Sequence, residues 1–267
     1  MYWESRVKYT EVVVSIMTIL DTEFRRDLLK AFSMIWVLIL SAMLMLFQCK
    51  CSSAQSLTGA TGLIAIPTAE TPRDREISFG LIWLNKKHLA LAASEYHGIA
   101  SFIRLGYLPF LEIDLRLTRL LEFQRPQAIG DRMVSIRLRL LKEKALRPSI
   151  LLGAHDFMTV FGSKQNNHFN ALYLAASKTI RLESFMDSIG LHLGHSTKWI
   201  KAAHHQFVGI FGGISLSLSP SVAFMLEYDT EKTNFGIRVS LFDHLQLLLA
   251  LMNFDCLSGS ISCKFTL

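Results

Sequence analysis

The chain is short of charge. Asp, Glu, Lys and Arg make up 19% of its 267 residues, against about 25% in an ordinary soluble domain, while 51% are hydrophobic and mean hydropathy is +0.32. Water alone is a poor match for such a surface. Disorder is excluded, because 18 Phe and many Leu and Ile are too apolar to stay solvated. Cysteine is scarce as well, with four residues. Cys256 and Cys263 are seven apart on what reads as one strand, roughly 23 Å at a strand's rise, which is beyond disulfide reach. No Cys/His spacing suits a metal and no cofactor motif is present, so neither a metal nor a cofactor is expected. Lys plus Arg exceed Asp plus Glu by 28 to 22, and the excess is scattered. Without a dense basic run, nucleic acid is not an expected partner.

Long apolar runs are rare, and the clearest is near the N-terminus. Phe32 to Phe47 carries no charge, Arg25, Arg26 and Lys30 precede it, and Cys51-Ser52-Ser53-Ala54-Gln55 follows. A basic flank, an apolar core and small residues at −3 and −1 describe a secretory signal peptide, with cleavage expected between Ala54 and Gln55. The alternative is an uncleaved anchor, for which the run falls short of the roughly 20 residues of a spanning helix. Residues 1–54 are thus read as a leader, 55–75 as an N-terminal segment lying in the periplasm or plugging a lumen, and 76–267 as the main domain.

From Glu76 onward the dominant period is two. In Leu111-Glu112-Ile113-Asp114-Leu115-Arg116-Leu117-Thr118 aliphatic and polar residues alternate without exception, and Val134 to Leu140 repeats the pattern. Phe235, Ile237, Val239 and Leu241 share one face, as do Leu245, Leu247, Leu249 and Leu251. Such alternation marks strands. About twelve are expected, over 76–84, 99–108, 111–119, 132–141, 147–157, 169–177, 184–195, 207–218, 221–229, 233–241, 244–253 and 257–266. Some links are short (Pro109-Phe110, Ser219-Pro220, Thr230 to Lys232, Phe242-Asp243) and others long and polar (Asn85 to Gly98, Leu120 to Asp131, Met158 to His168, Ser196 to Gln206).

Two other readings compete. A soluble β-sandwich also alternates, but its outer faces need more charge than this chain supplies. Phe207 to Met225 is uncharged and long enough for a membrane helix, yet its alternating Ser and the following Pro220 suit two strands and a turn better. The fold class expected is therefore all-β, an antiparallel transmembrane barrel of about twelve strands. Inside a bilayer every backbone N–H and C=O must be satisfied internally, so a β protein there must close on itself. A leader followed by such a barrel is expected in the bacterial outer membrane, with membrane lipid and the barrel-assembly machinery as partners.

Three segments carry a resemblance. Thr58-Gly59-Ala60-Thr61-Gly62-Leu63-Ile64-Ala65-Ile66-Pro67-Thr68-Ala69, followed by Ile77-Ser78-Phe79-Gly80, resembles the opening of the YjbH-type outer-membrane proteins. Leu105-Gly106-Tyr107-Leu108-Pro109-Phe110-Leu111-Glu112 is similar to that family's first hairpin, and Asp243 to Gln246 through Gly259 to Ser262 to its closing strands. The chain departs from the family pattern at Glu70, where a basic residue is frequent, and at Asp74-Arg75, where a Gly-containing turn is common. The resemblance implies a barrel linked to exopolysaccharide production or export, without catalysis, and with polysaccharide and other envelope proteins as partners.

Candidate sites follow from face and motif. Glu112, Asp114, Arg116, Arg137, Arg139, Glu227, Asp229 and Arg238 occupy polar faces of alternating strands, so in a barrel they point inward. They read as a paired charge lattice filling the lumen or as a polar path for a sugar or small anion. With a symmetric loop between them, the strands at 111–119 and 132–141 would set Glu112 opposite Arg139 and Asp114 opposite Arg137. The N-terminal motif, Gly59, Gly62, Pro67 and Thr68, is apolar for a periplasmic tail, and its glycines permit close backbone approach. It suits a lumen plug, a rim cap or an extra strand. His155, His192 and His195 with Ser188 or Ser196 and Asp156 or Asp187 have the residue types of a hydrolase. No G-x-S-x-G elbow accompanies them, and no catalytic residue is assigned. His204-His205 reads as a solvated loop.

Overall fold

The structure, a computed structural model, describes residues 54–87, 96–121, 129–157, 170–182, 186–198 and 208–267. The leader's apolar run and His204-His205 lie outside the described residues. Twelve strands are present among them: β1 Glu76–Leu84, β2 Gly98–Tyr107, β3 Leu111–Leu120, β4 Ile129–Leu141, β5 Ser149–His155, β6 Ala171–Arg181, β7 Ser188–Thr197, β8 Gly209–Ser219, β9 Val222–Tyr228, β10 Thr233–Leu241, β11 Leu245–Met252 and β12 Cys256–Thr266. Each pairs antiparallel with its sequence neighbours, and β1 pairs with β12 from Glu76↔Thr266 to Trp83↔Gly259. The sheet is a closed up-and-down barrel, which leaves no edge strand to template association. The soluble-sandwich reading is overturned by this closure, and the apolar stretch from Phe207 is split between β8 and β9 by the turn at Pro220.

The alternation read from sequence sets the two faces. In β3, Leu115 and Leu117 are exposed on the outer wall while Glu112, Asp114, Arg116 and Thr118 are buried inside. Phe79, Leu81, Leu174, Leu193, Ile214, Leu226, Leu249 and Ile261 continue the outer apolar surface around the barrel. Exposed aromatics stand near both ends of it: Tyr107, Phe110 and Phe242 toward the rim that carries the C-terminus, and Trp83, Tyr228 and Phe254 toward the opposite rim. Near the first of these rims Phe265 stacks on Phe79 (5.7 Å between centroids) and on His244 (5.8 Å).

The two rims differ in their links. The C-terminal rim bears the connections at 108–110, 142–148, 182–187, 220–221 and 242–244, and the opposite rim those at 85–97, 121–128, 156–170, 198–208, 229–232 and 253–255. Four of the latter are long, but 229–232 and 253–255 are tight, so the division between short and long links is incomplete. At 253–255 the chain reverses with Asn253 and Phe254 both in the left-handed region (φ 51° and 54°) and Asp255 N–H donating to Met252 O at 3.0 Å. Phe242 and Asp243 (φ 52° and 60°) do the same on the other rim. Positive φ at both central residues matches the right-handed twist of the flanking strands.

The symmetric-loop register is corrected by two residues. Glu112 faces Arg137, Asp114 faces Ser135, and Leu111 faces Leu138. A shift of two preserves which residues point inward, so parity alone could not fix it. The pairing is interrupted by two irregularities, one between Thr118 and Arg119 in β3–β4 and one between Arg139 and Leu141 in β4–β5. Cys256 and Cys263 both lie on β12 and both are free.

Candidate functional site: a lumen filled by the N-terminal segment

Residues 54–69 are buried inside the barrel. Their chain folds back on itself through the bridges Gln55↔Thr61 and Gly62↔Pro67. Gly59 sits at φ +96°, where a side chain would be strained, and a Cβ on Gly62 would stand 2.3 Å from Ile66 O. These are the two turns that need glycine.

An inserted loop brings backbone groups that the lumen must satisfy, and the strands answer with side chains of both polarities. Glu227 on β9 accepts from the N–H groups of Ile64 (2.8 Å), Ala65 (2.8 Å) and Ile66 (3.3 Å). Its neighbour Asn234 on β10 donates to it at 3.0 Å. Arg238, also on β10, donates to the carbonyls of Gln55 (3.2 Å), Gly62 (2.9 Å) and Leu63 (2.7 Å). One acid and one arginine thus hold the turn at 62–66 from opposite sides of its peptide groups.

A second clamp lies on β3 and β4. Glu112 and Arg137 form an ion pair of 2.5 Å with both side chains 0% exposed. Glu112 also accepts Thr61 N–H at 2.8 Å, while Arg137 donates to the carbonyls of Thr68 and Glu70. Arg116 reaches Leu57 O at 3.2 Å. Arg104 on β2 donates to Thr61 Oγ1 and Ser78 Oγ, each at 2.9 Å, and pairs with Glu76. Hydroxyls complete the grip: Ala69 N–H donates to Ser177 Oγ (2.7 Å) and Ser149 Oγ donates to Ala69 O (2.8 Å). Gln246 Oε1 accepts Gln55 N–H at 2.9 Å.

The charged positions read from sequence therefore separate into groups. Glu112, Arg116, Arg137, Glu227 and Arg238 touch the inserted segment. Asp114 is buried beside them, opposite Arg104 and Ser135 in the sheet. Arg139 and Asp229 lie at the rims. Arg139 donates to Pro109 O, and Asp229 accepts from Glu231 N–H (3.2 Å) and Lys232 N–H (2.8 Å), so it caps the β9–β10 turn. Sequence reasoning passed over Arg104, Ser149, Ser177 and Gln246. Arg104 was findable, since it follows Ala100 and Phe102 on one parity of β2.

Toward the long loops the lumen mixes polar residues, among them Thr118, His155, Ser196 and Ser258, with an apolar layer. Ile82, Leu84, Ala100, Tyr173, Phe211, Ala250 and Met252 are buried there. Tyr173 lies across Gly153 and Phe211 across Gly194 in neighbouring strands, and a Cβ on either glycine would come within 2.2 Å of the facing ring. The two rings meet edge to face, 6.4 Å apart at 75°. Tyr173 Oη accepts from Arg137 Nε at 3.1 Å, joining this layer to the clamp below.

The hydrolase residue types are divided between the two faces and the two ends of the wall. His195 lies on the outer face of β7, while His192 points inward, with Ser177 Oγ at 2.8 Å and Ser215 Oγ at 3.3 Å. His155, buried on β5, meets Ser135 Oγ at 3.1 Å. Ser188 instead donates to its neighbour Asp187 at the rim, and Ser196 accepts Gly209 N–H. Among the described residues no group of three or more His, Cys, Asp or Glu is placed to hold a metal.

A closed antiparallel barrel of twelve strands, threaded from one rim by its own N-terminal segment, defines the class of protein. The chain belongs to the YjbH family, described as "Exopolysaccharide biosynthesis protein YbjH", which it matches over residues 54–234, a span that includes the inserted segment and β1 to β9. It is also similar to a solved structure named KdgM porin, at 10% identity and a TM-score of 0.43, over 72% of this chain and 99% of that one. A likeness of that size carries no functional argument. No curated protein matches.

Proposed function

We propose that this protein is an outer-membrane barrel that serves exopolysaccharide production or export as a docking scaffold, with its lumen closed. Three features support the membrane reading. The outer wall is a continuous apolar surface, far beyond the few hundred Å² that a soluble monomer normally exposes. Aromatics flank it at both rims, as in the girdles of outer-membrane barrels. A ten-residue strand such as β3, tilted by about 40°, rises about 25 Å, the height of their apolar band.

The observation that carries the docking reading is the filling of the lumen. Buried charges and hydroxyls hold residues 54–69, and Tyr173, Phe211 and their neighbours pack with that segment in one core. A polymer would have to displace both. The family's link to exopolysaccharide then points to the rims and loops as the surfaces where pathway components meet the barrel.

Conductance of the purified protein in a planar bilayer tests this reading. The intact chain should give no steady open-channel current. A steady ohmic conductance would overturn the docking role in favour of passage. Extraction from membranes only by detergent, with a gel mobility that shifts on heating, tests the membrane reading separately.

A further inference from the structure

The outer wall of the barrel carries almost no charge, and what it carries is of one sign. Across the described outward positions of the twelve strands there are three cations, Arg119, Arg132 and Lys178, and no acid. Every acid whose side chain is described within a strand, namely Glu76, Glu112, Asp114 and Glu227, is buried on the inner face. Lys178 lies near the C-terminal rim and is paired with Glu143 at 3.1 Å. Arg119 and Arg132 stand near the opposite rim, are exposed, and have no hydrogen-bond or ion-pair partner among the described residues.

These two arginines are neighbours. Arg132 on β4 lies directly opposite Leu117 on β3, and Arg119 is two residues further along β3 on the same face. Diagonal neighbours of this kind sit roughly 7–8 Å apart, within reach of long side chains. Their level on the wall is also fixed. Arg119 is in register with Ile99, and Ile99 with Trp83, each of them one residue from the long-loop end of its strand. Tryptophan at a strand end marks the interfacial zone of a membrane. Two guanidinium groups thus stand as neighbours at headgroup depth on a wall where no described outward residue is negative.

Side by side without an anion, they repel each other at the edge of a low-dielectric slab. A phosphate between them removes that repulsion, and the planar guanidinium fork matches phosphate oxygens bidentately. We propose that Arg119 and Arg132 form a binding site for the phosphate of a membrane lipid in the leaflet that surrounds the long-loop rim. Resting on the outer-membrane reading above, with long loops outward, the ligand class is the phosphorylated glycolipid of the outer leaflet. The wall below the pair, Leu115, Leu117 and Leu138, offers apolar surface to its acyl chains.

The test is lipid retention by the full-length protein, purified from outer membranes in mild detergent and read by native mass spectrometry. Three probes are added in parallel: a bisphosphorylated lipopolysaccharide-type glycolipid, the same glycolipid after enzymatic removal of its phosphates, and phosphatidylglycerol. The wild type should retain the first at least tenfold better than either of the others. Arg119→Gln combined with Arg132→Gln should lose at least tenfold of that retention, each single variant a few-fold, and Lys178→Gln none. Heat-shifted mobility of every variant shows that it is folded. Equal retention by the double variant, or of the dephosphorylated glycolipid, overturns the site. Equal retention of phosphatidylglycerol overturns the glycolipid assignment. A folded, heat-modifiable barrel that retains no lipid removes this inference alone, whereas a chain that never fractionates with the outer membrane removes the reading beneath it.

Discussion

One part of the lumen is filled by backbone from another part of the chain, and another part by the wall's own side chains. The first works through directional contacts: Glu227, Arg238, Glu112 and Arg137 address the N–H and C=O groups of residues 54–69. The second works through shape, with Tyr173 and Phe211 laid over Gly153 and Gly194. Removing one partner of a buried charged contact leaves the other desolvated, which is more costly than the intact pair was stabilising. Changing the volume at a packed ring costs strain or a void but strands no charge. The two parts should therefore fail differently.

The largest effect is expected at the clamp. Arg137→Leu leaves Glu112 buried without its partner, at a cost of about 3–5 kcal/mol, and frees the carbonyls of Thr68 and Glu70. The folded fraction should fall, and in what remains residues 55–69 should become protease-sensitive. Limited proteolysis with mass spectrometry reads this, and an equally protected segment would erase the distinction between the parts.

Gly194→Val comes next. Its side chain would collide with Phe211, and overpacking of this kind costs about 1–3 kcal/mol. The urea midpoint should drop while the N-terminal segment stays protected from protease. Exposure of the segment in this variant would show that the apolar layer, too, retains it.

The lipid face supplies a milder comparison. Phe265→Asp puts a charge on the outer wall, with an expected cost of order 2 kcal/mol or less, whereas Lys264→Asp changes an inward position. Membrane yields of heat-modifiable barrel should be lower for the first, and equal yields would mean that the faces are misassigned. Smallest of all, Phe242→Gly should stabilise the β10–β11 turn by about 1 kcal/mol, since phenylalanine there occupies the left-handed region. Thermal denaturation in detergent measures the shift, and no gain would mean that its ring's contacts outweigh the backbone strain.

Strands were the most legible part of the sequence, because alternation is itself the physical signature of a two-faced wall. The expected 233–241 coincides with β10, and 111–119 differs from β3 by one residue. Inward orientation of Glu112, Arg116, Glu227 and Arg238 follows from the same parity. What those side chains meet does not follow, since parity says nothing about whether a lumen holds water, wall or foreign backbone. The apolar character of Leu63, Ile64 and Ile66 was visible, but an extra strand would have required it equally. Register between β3 and β4 was illegible for a related reason: a slip of two residues moves pairing without altering face. Tyr173 and Phe211 were hidden within strands whose other large apolar residues face outward.

The inserted segment has a kinetic consequence. Gln55 meets Gln246 across 191 positions of sequence, and Ile64 meets Glu227 across 163. The first piece of the barrel domain to leave the ribosome is thus among the last to find its partners, a topology that folds slowly because distant contacts demand loop closure before they return any stability. The segment runs out to β1 at the C-terminal rim, and the cylinder is sealed where β12 joins β1. While that seam is open the segment can reach its partners on β3, β9 and β10 from the side, and once it is sealed only through a rim.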